Sequence, residues 1–275
     1  MNLVNLGCGT LHRDAWINLD LEPPTPAVRK WDLRRGIPMN AGSADAVYMS
    51  HVLEHLSRSE AVAVLQDSFR VLRKGGVIRV VVPDLEVQCR EYLAALEAVV
   101  RSEPGAEARH EWMRLELLDQ MVRTRVGGDL LEHLVTAPQA QRAFIRMRIG
   151  AEADRYWNLN QSRGAGRVAY FRHGLLRRLP RWIRRKLAAG AVRVIAGPAA
   201  LAAFREGLFR NSGEVHRWMY DRVSLDRLLR ETGFEAFRVV DPWTSGIPSF
   251  RQYELDTVGC EIRKPESIFV EAVKP

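Results

Sequence analysis

Two groups of residues early in this 275-residue chain have chemistry to offer. The first is Gly7-Cys8-Gly9 with the carboxylates Asp20 and Asp32, and the second is the stretch Ser50-His51-Val52-Leu53-Glu54-His55. An apolar run, Leu3–Leu6, leads into the glycines, and another, beginning at Trp16, ends on Asp20. Strand, glycine turn, strand, carboxylate is the layout of a nucleoside-binding half-sheet. The glycines let backbone approach a ligand closely, and an acid at the tip of the second strand can accept hydrogen bonds from a ribose diol. Position 12 is His12, so the third glycine of the dinucleotide fingerprint is missing, which argues against NAD or FAD.

The elements that must carry these residues follow from periodicity. Runs at Leu3–Leu6, Trp16–Leu21 and Ala44–Met49, a weaker one ending at Trp31, and a β-branched run at Val77–Val82 read as strands. Between them Leu53, Leu56, Val62, Leu65, Phe69 and Leu72 recur at helical spacing. Ser59 is the expected cap of that helix and Gly75-Gly76 its stop. The continuous apolar character of 77–82 points to a strand buried on both faces, as in parallel sheets. Over 85–213 helical patterns dominate, at 86–101, about 107–126 and about 138–156, followed by two basic pieces. The α/β pattern returns at His216. Ser224 is an expected cap, Gly233 a stop, Phe234–Val240 a strand and Ile268–Val273 a last strand. The expected architecture is α/β: a Rossmann-like, doubly wound, mostly parallel sheet with a large helical insertion after the fifth strand. Residues 1–84 and 214–275 would form the binding domain, and 85–213 an inserted lid, substrate-binding or membrane-facing.

Composition narrows the class. With 47% hydrophobic and 27% charged residues the chain is that of an ordinary globular protein. Cys8, Cys89 and Cys260 are too far apart for a disulfide framework, and no CxxC pair suggests zinc; no metal is expected. The N-terminus lacks a secretory pattern and no apolar run approaches the ~18 residues of a bilayer span, so a cytoplasmic setting is expected. The net charge of +8 is local: eleven arginines and one lysine between Arg163 and Arg210 meet a single acid, Glu206, a net +11, which leaves −3 elsewhere.

Taken together, Val4–Gly9, Trp16–Asp20, Asp32–Pro38, Ser43–Leu56 and Val71–Pro83 resemble class I S-adenosylmethionine (SAM)-dependent methyltransferases of the type 11 group. His216-Arg217-Trp218-Met219-Tyr220, Leu225–Phe234, Tyr253–Asp256, Lys264–Ser267 and Glu271–Pro275 resemble bacterial methyltransferases associated with surface-polysaccharide biosynthesis. The resemblance implies S-adenosyl-L-methionine as cofactor, held by Leu6, Gly7, Cys8, Gly9, Asp20, Leu21, Asp32, Leu33, Ser50 and His51. In it, Asp20 takes the ribose diol, Asp32 and Leu33 lie near the adenine, and His51 sits beside sulfonium and substrate. Methyl transfer to a hydroxyl requires alignment and a base near neutral pH. His51, Glu54, His216 and His55 are the candidates, the first three preferred. His55 recurs in the group across unrelated substrates, which suggests a structural part. Asp32 could equally cap a helix, and Cys8 could simply fit a tight turn.

The expected reaction is O-methylation of a sugar or other small hydroxyl acceptor, free or lipid-linked. An RNA methyltransferase is the first alternative, suggested by charge; no Asn-Pro-Pro-Tyr motif or paired-cysteine arrangement accompanies it. A non-catalytic binding protein that keeps the fold is the second. Residues 172–193, with Leu175, Leu179, Trp182, Ile183 and Leu187 against Arg177, Arg178, Arg181, Arg184 and Arg185, are expected to form a solvated face or to contact an anionic membrane surface peripherally at the inner face, with nucleic acid the less favoured partner. Only six residues, Thr10–Ala15, separate Gly9 from Trp16. A full crossover helix does not fit there. With no helix ahead of the first strand, the insertion is expected to close the cofactor site.

Overall fold

The computed structural model describes residues 1–161 and 181–275. Seven strands form the main sheet: β1 (Leu3–Leu6), β2 (Trp16–Asp20), β3 (Arg29–Lys30), β4 (Ala44–Ser50), β5 (Leu72–Pro83), β6 (Glu235–Val239) and β9 (Ser267–Val273). β7 (Thr257–Val258) and β8 (Glu261–Ile262) make a small separate hairpin. The sheet order is β3-β2-β1-β4-β5-β9-β6. β1 to β5 pair in parallel, and β9 runs antiparallel to both neighbours. This is the expected mostly parallel, doubly wound Rossmann-like architecture. The order reverses direction between β1 and β4, the switch point where such sheets bind ligands beyond their strands' carboxyl ends.

The helices are α1 (Arg58–Val71), α2 (Leu85–Val100), α3 (Ala106–Val122), α4 (Gly128–Thr136), α5 (Gln139–Ile149), α6 (Glu152–Gln161), α7 (Arg181–Arg210) and α8 (Arg222–Glu231). Residues 7–15 hold no helix, in keeping with the short crossover. One sheet face is covered by α1 and α8, whose Val64, Leu65, Leu225 and Leu229 pack on Leu6, Val47, Ile78 and Val80. Among the described residues the other face has no such helix over β1 and β2. Ile247, Phe250 and Leu255, from the irregular chain between β6 and β7, cover Leu3, Trp16, Tyr48 and Phe269 instead. Trp16 meets Tyr48, Phe250 and Tyr253 edge-on.

That second face carries charge. Residues 77, 79 and 81 of β5 point to it, and residue 79 is arginine. Fully buried Arg79 donates to Asp256 Oδ2 (2.7 Å), to Glu271 Oε1 (2.8 Å), and to the carbonyls of Thr244 and Asp241. Tyr48 Oη donates to Asp256 Oδ1 at 2.6 Å. Tyr48, Arg79, Glu271 and Arg238 are register partners across β4, β5, β9 and β6, so one cross-strand row ties down the covering segment.

The inserted helices have their own core: Ala95, Trp112, Met113, Leu134, Ile145, Ala153 and Trp157. Trp112 Nε1 and Arg148 both donate to buried Glu116, which satisfies a carboxylate that would otherwise be costly there.

Several local expectations need correction. α1 ends at Val71 and the strand begins at Leu72, so Gly75-Gly76 lie inside β5 and do not stop the helix. Ser57, not Ser59, caps α1, because Glu60 sits at the third helical position and completes a reciprocal capping box. Asp221 caps α8 and Ser224 is the third residue of that box. The pattern at 138–156 is two helices broken at Gly150, and a further helix, α4, precedes them. In α7 the backbone leaves helical geometry at Gly197 (φ 84°), immediately before Pro198. Pro198 thus begins a second arm, the position where its missing N–H costs least. The expectation that no apolar run is long enough to span a bilayer also fails. Within Leu187–Phe204 Arg193 is the only charge, and the helix Arg185–Arg210 meets the length and composition of a span. The stretch 172–180 of the basic segment lies outside the described residues.

Candidate active site

The carboxyl ends of β1 to β4 converge on one cavity of about 320 Å³, within the usual range for small-molecule sites. Gly7, Asp20, Leu21, Trp31, Asp32, Leu33, His51, Val52, His55 and Leu56 line it on the sheet side, and Arg210 to Gly213 with Arg217 line it opposite. The floor is set by the glycine turn. Gly7 has φ 65°, and a Cβ placed there would meet Val52 Cγ2 at 2.5 Å, so both backbone conformation and space require glycine.

Asp20 ends β2 beside this turn. Its Oδ2 accepts the Gly9 N–H at 2.8 Å and its Oδ1 the Glu22 N–H at 2.7 Å. Each oxygen keeps a lone pair, so the carboxylate is oriented yet free to accept two further donors from the cavity. Asp32 does two things at once. It caps the 3-10 turn Leu33–Arg35 and takes both Arg34 donors at 2.8 Å, while lying on the cavity wall. The Arg34 hydrogen bond holds its carboxyl below the usual range.

His51 follows β4 with φ 54°, a left-handed conformation that costs a β-carbon residue roughly 1–2 kcal/mol. Its N–H is tied to the Val81 carbonyl at 2.9 Å. The ring is held at both nitrogens: Nδ1 lies 3.2 Å from Glu54 Oε1, and Nε2 2.9 Å from Ser267 Oγ. Glu54 is 0% exposed and stands behind the wall, where neither carboxylate oxygen has a well-aligned hydrogen bond. Burial pushes its carboxyl up, but His51, and beyond it His55 and His216, outweigh that and hold it at about 2. His216 is 4% exposed, edge-on to the His55 ring with centroids 4.8 Å apart. Burial pushes its imidazole down to about 3 against the pull of Glu54, so it is neutral at pH 7.

The predicted residues therefore separate. Gly7, Asp20, Leu21, Asp32, Leu33 and His51 share the cavity. Gly9 reaches it through its hydrogen bond to Asp20. Leu6 is buried in the sheet core, and Ser50 ends β4 one residue short of the wall. Cys8 is buried beneath the turn, and burial together with Asp20 pushes its thiol up to about 12, so it offers no thiolate. Glu54 and His216 do not face the cavity; they sit behind His51 and His55. Glu54, His55 and His216 could hold a cation, since each offers an atom within 4.8 Å of the others. Trp31, Val52, Leu56, Arg217 and the 210–213 strip escaped sequence reasoning. Only the position of Trp31 just before Asp32 signalled it.

The insertion reaches the cavity at its C-terminal end. Arg210, at the end of α7, and Asn211–Gly213 form the far wall. The chain then returns beneath the site. The His216 N–H donates to the Gln120 carbonyl at 2.8 Å, and the Arg217 N–H to the Glu54 carbonyl at 2.6 Å.

Residues 13–80 match a family model described as a methyltransferase domain. No curated protein matches the chain. Among solved structures, a SAM-dependent methyltransferase from Thermotoga maritima aligns over 100% of this chain and 82% of its own, at 11% identity and a TM-score of 0.40. One from Archaeoglobus fulgidus aligns over 99% and 86%, at 10% identity and a TM-score of 0.39. Another from Methanosarcina mazei aligns over 99% and 92%, at 13% identity and a TM-score of 0.35. The family match contains Asp20, Asp32, His51 and Glu54. With the sheet order and the cavity at its switch point, it supports a methyltransferase domain over residues 13–80.

Proposed function

We propose that this chain is a SAM-dependent methyltransferase that O-methylates a sugar or other small hydroxyl acceptor of the kind found in surface polysaccharides, acting on the cytoplasmic side. One observation carries the reading: Asp20 is fixed by the Gly9 and Glu22 amides on the wall of the cavity at the sheet's switch point. The residues present fit the cofactor. Asp20 suits a ribose diol, Trp31, Leu33 and Leu56 offer apolar surface for an adenine, and Gly7 leaves backbone bare where a side chain would intrude. No helix N-terminus follows β1 to meet the amino-acid carboxylate, and Arg34, Arg210 and Arg217 stand on the wall in its place.

When bound, the cofactor supplies an electrophilic methyl group on a sulfonium. The chain's part is positioning and one proton. The Glu54 carboxylate, 3.2 Å from His51 Nδ1, favours the tautomer with its proton on Nδ1 and so leaves the Nε2 lone pair basic. For His51 to take the acceptor's proton, Nε2 exchanges the Ser267 hydroxyl for the acceptor's. His51 is then the base and Glu54 a positioning residue, a division of labour worth roughly 10²–10⁴ in rate.

Calorimetry with S-adenosylmethionine tests the reading. The wild type should bind, and Asp20→Asn should bind about 10–100-fold more weakly, as expected for hydrogen bonds to a charged group. Absence of binding to the folded wild type would remove the enzyme reading. Methyl transfer assayed on fractionated envelope glycans and on RNA identifies the acceptor; activity confined to RNA would overturn the hydroxyl-glycan assignment.

A further inference from the structure

We infer that the first arm of α7 seats this protein on the surface of an anionic bilayer, with its apolar stripe in the interface and without crossing it. From Arg185 to Ala196 the arm holds no buried residue. Leu187, Val194 and Ile195 are 69%, 86% and 84% exposed, and only 6% of the apolar window in Arg185–Arg210 is buried. A core helix is therefore excluded. Positions 187, 191, 194 and 195 recur at fours and threes and make one apolar stripe, while Arg185, Lys186 and Arg193 fall on the opposite side. From Arg185 to Arg210 the helix carries five cations against Glu206 alone. An apolar stripe backed by cations is the pattern of a helix lying in the headgroup region of anionic lipid. The long cationic side chains can keep their charges in the headgroups while their stems lie along the apolar boundary.

The kink decides between lying on the membrane and spanning it. Gly197 and Pro198 divide α7 into arms 181–196 and 198–210. At 1.5 Å per residue these are about 24 and 20 Å long, each short of the ~30 Å hydrocarbon core. Arg193 adds a charge near the end of the first arm. The second arm is held to the protein by Leu201, which is buried, and it runs directly into Arg210–Gly213 on the cavity wall. Docking would thus bring the cavity mouth to the bilayer, where a lipid-carried acceptor could be met. The docking itself does not depend on the methyl-transfer reading.

Vesicle flotation of the full chain tests the inference, using phosphatidylcholine alone and phosphatidylcholine mixed with phosphatidylglycerol. The wild type should float with the mixed vesicles. Val194→Asp/Ile195→Asp should lower recovery at least about tenfold, and Arg185→Glu/Lys186→Glu should lower it severalfold. Unchanged thermal unfolding in the variants, read by circular dichroism without cofactor, reports folding separately from any enzymatic role. Recovery of wild type with neither vesicle, equal recovery with both, or recovery indifferent to the Val194/Ile195 change overturns the inference. So does sedimentation as a dimer that the same change dissolves, which would assign the stripe to a second copy of this chain.

Discussion

The two faces of the central sheet are covered by different physics. On one, α1 and α8 bury aliphatic stripes against β-strand side chains, with no polar group required. On the other, an irregular segment is fastened by Arg79, Asp256, Glu271 and Tyr48, all buried. Apolar cover depends on shape and area and tolerates adjustment. Charged cover is unforgiving when one member is lost, because the remaining charges stay buried without a partner. The short β1–β2 crossover explains the need: with no helix to roof Trp16 and Leu3, a loop must do it, and a loop without periodicity needs fixed anchors.

The largest contrast should come from Arg79→Ala. It strips Asp256 of its ion pair and leaves Glu271 with Arg238 as its ion-pair partner, and is expected to cost about 3–5 kcal/mol in chemical denaturation. Leu65→Ala, on the aliphatic face, should cost roughly 2–5 kcal/mol. The distinguishing readout is pH. The Arg79→Ala loss should shrink as pH falls toward the carboxyl range, because protonation relieves the orphaned acid, whereas the Leu65→Ala loss should stay level. Equal pH behaviour would erase the distinction between the faces.

A second, smaller effect comes from the histidines behind the site. His216 is depressed from 6.5 to about 3, so below 6.5 the unfolded chain binds a proton that the folded chain refuses. Stability from this group is complete above 6.5 and declines as pH falls toward 3. Glu54, depressed from 4.5 to about 2, adds a loss below 4.5. Between pH 7 and 5 the His216 part should amount to about 2 kcal/mol by linkage. His216→Phe should flatten the upper limb, and a midpoint that does not move between pH 7 and 5 in the wild type would contradict the assignment. The smallest effect is Ser57→Ala. It removes the α1 cap on the aliphatic face and should cost about 1 kcal/mol in thermal melts, independent of pH above the carboxyl range.

What could be read from sequence follows the same division. The aliphatic face announced itself through the spacing of Val62, Leu65 and Phe69 and through the β-branched run of β5. The glycine turn and Asp20 were legible because a ligand cradle needs particular residue types at strand ends. Arg79 stood in plain view within Val77–Val82, yet its meaning lay in partners beyond residue 240. The helix boundaries at Ser57, Val71 and Asp221 were misplaced by a few residues, since capping boxes and a glycine-containing strand start are settled by local hydrogen bonds. The far wall of the cavity, Arg210–Gly213, had no signal, because its place depends on how the insertion returns to the sheet. Trp31 was seen only as the end of a weak strand.

Arg79 also bears on how the chain is made. Its partners at Asp241, Thr244, Asp256 and Glu271 lie 162, 165, 177 and 192 residues downstream. At ordinary synthesis rates that is on the order of ten seconds or more between the emergence of β5 and the arrival of its neighbour β9. During that interval β5 is an unfinished edge, rich in valine and open to pairing with another nascent chain. An inward-pointing charge is one of the devices that discourage such pairing. The same guanidinium that later pins the loop can therefore act beforehand as a guard on the growing sheet, released from that duty when the last strand slots in.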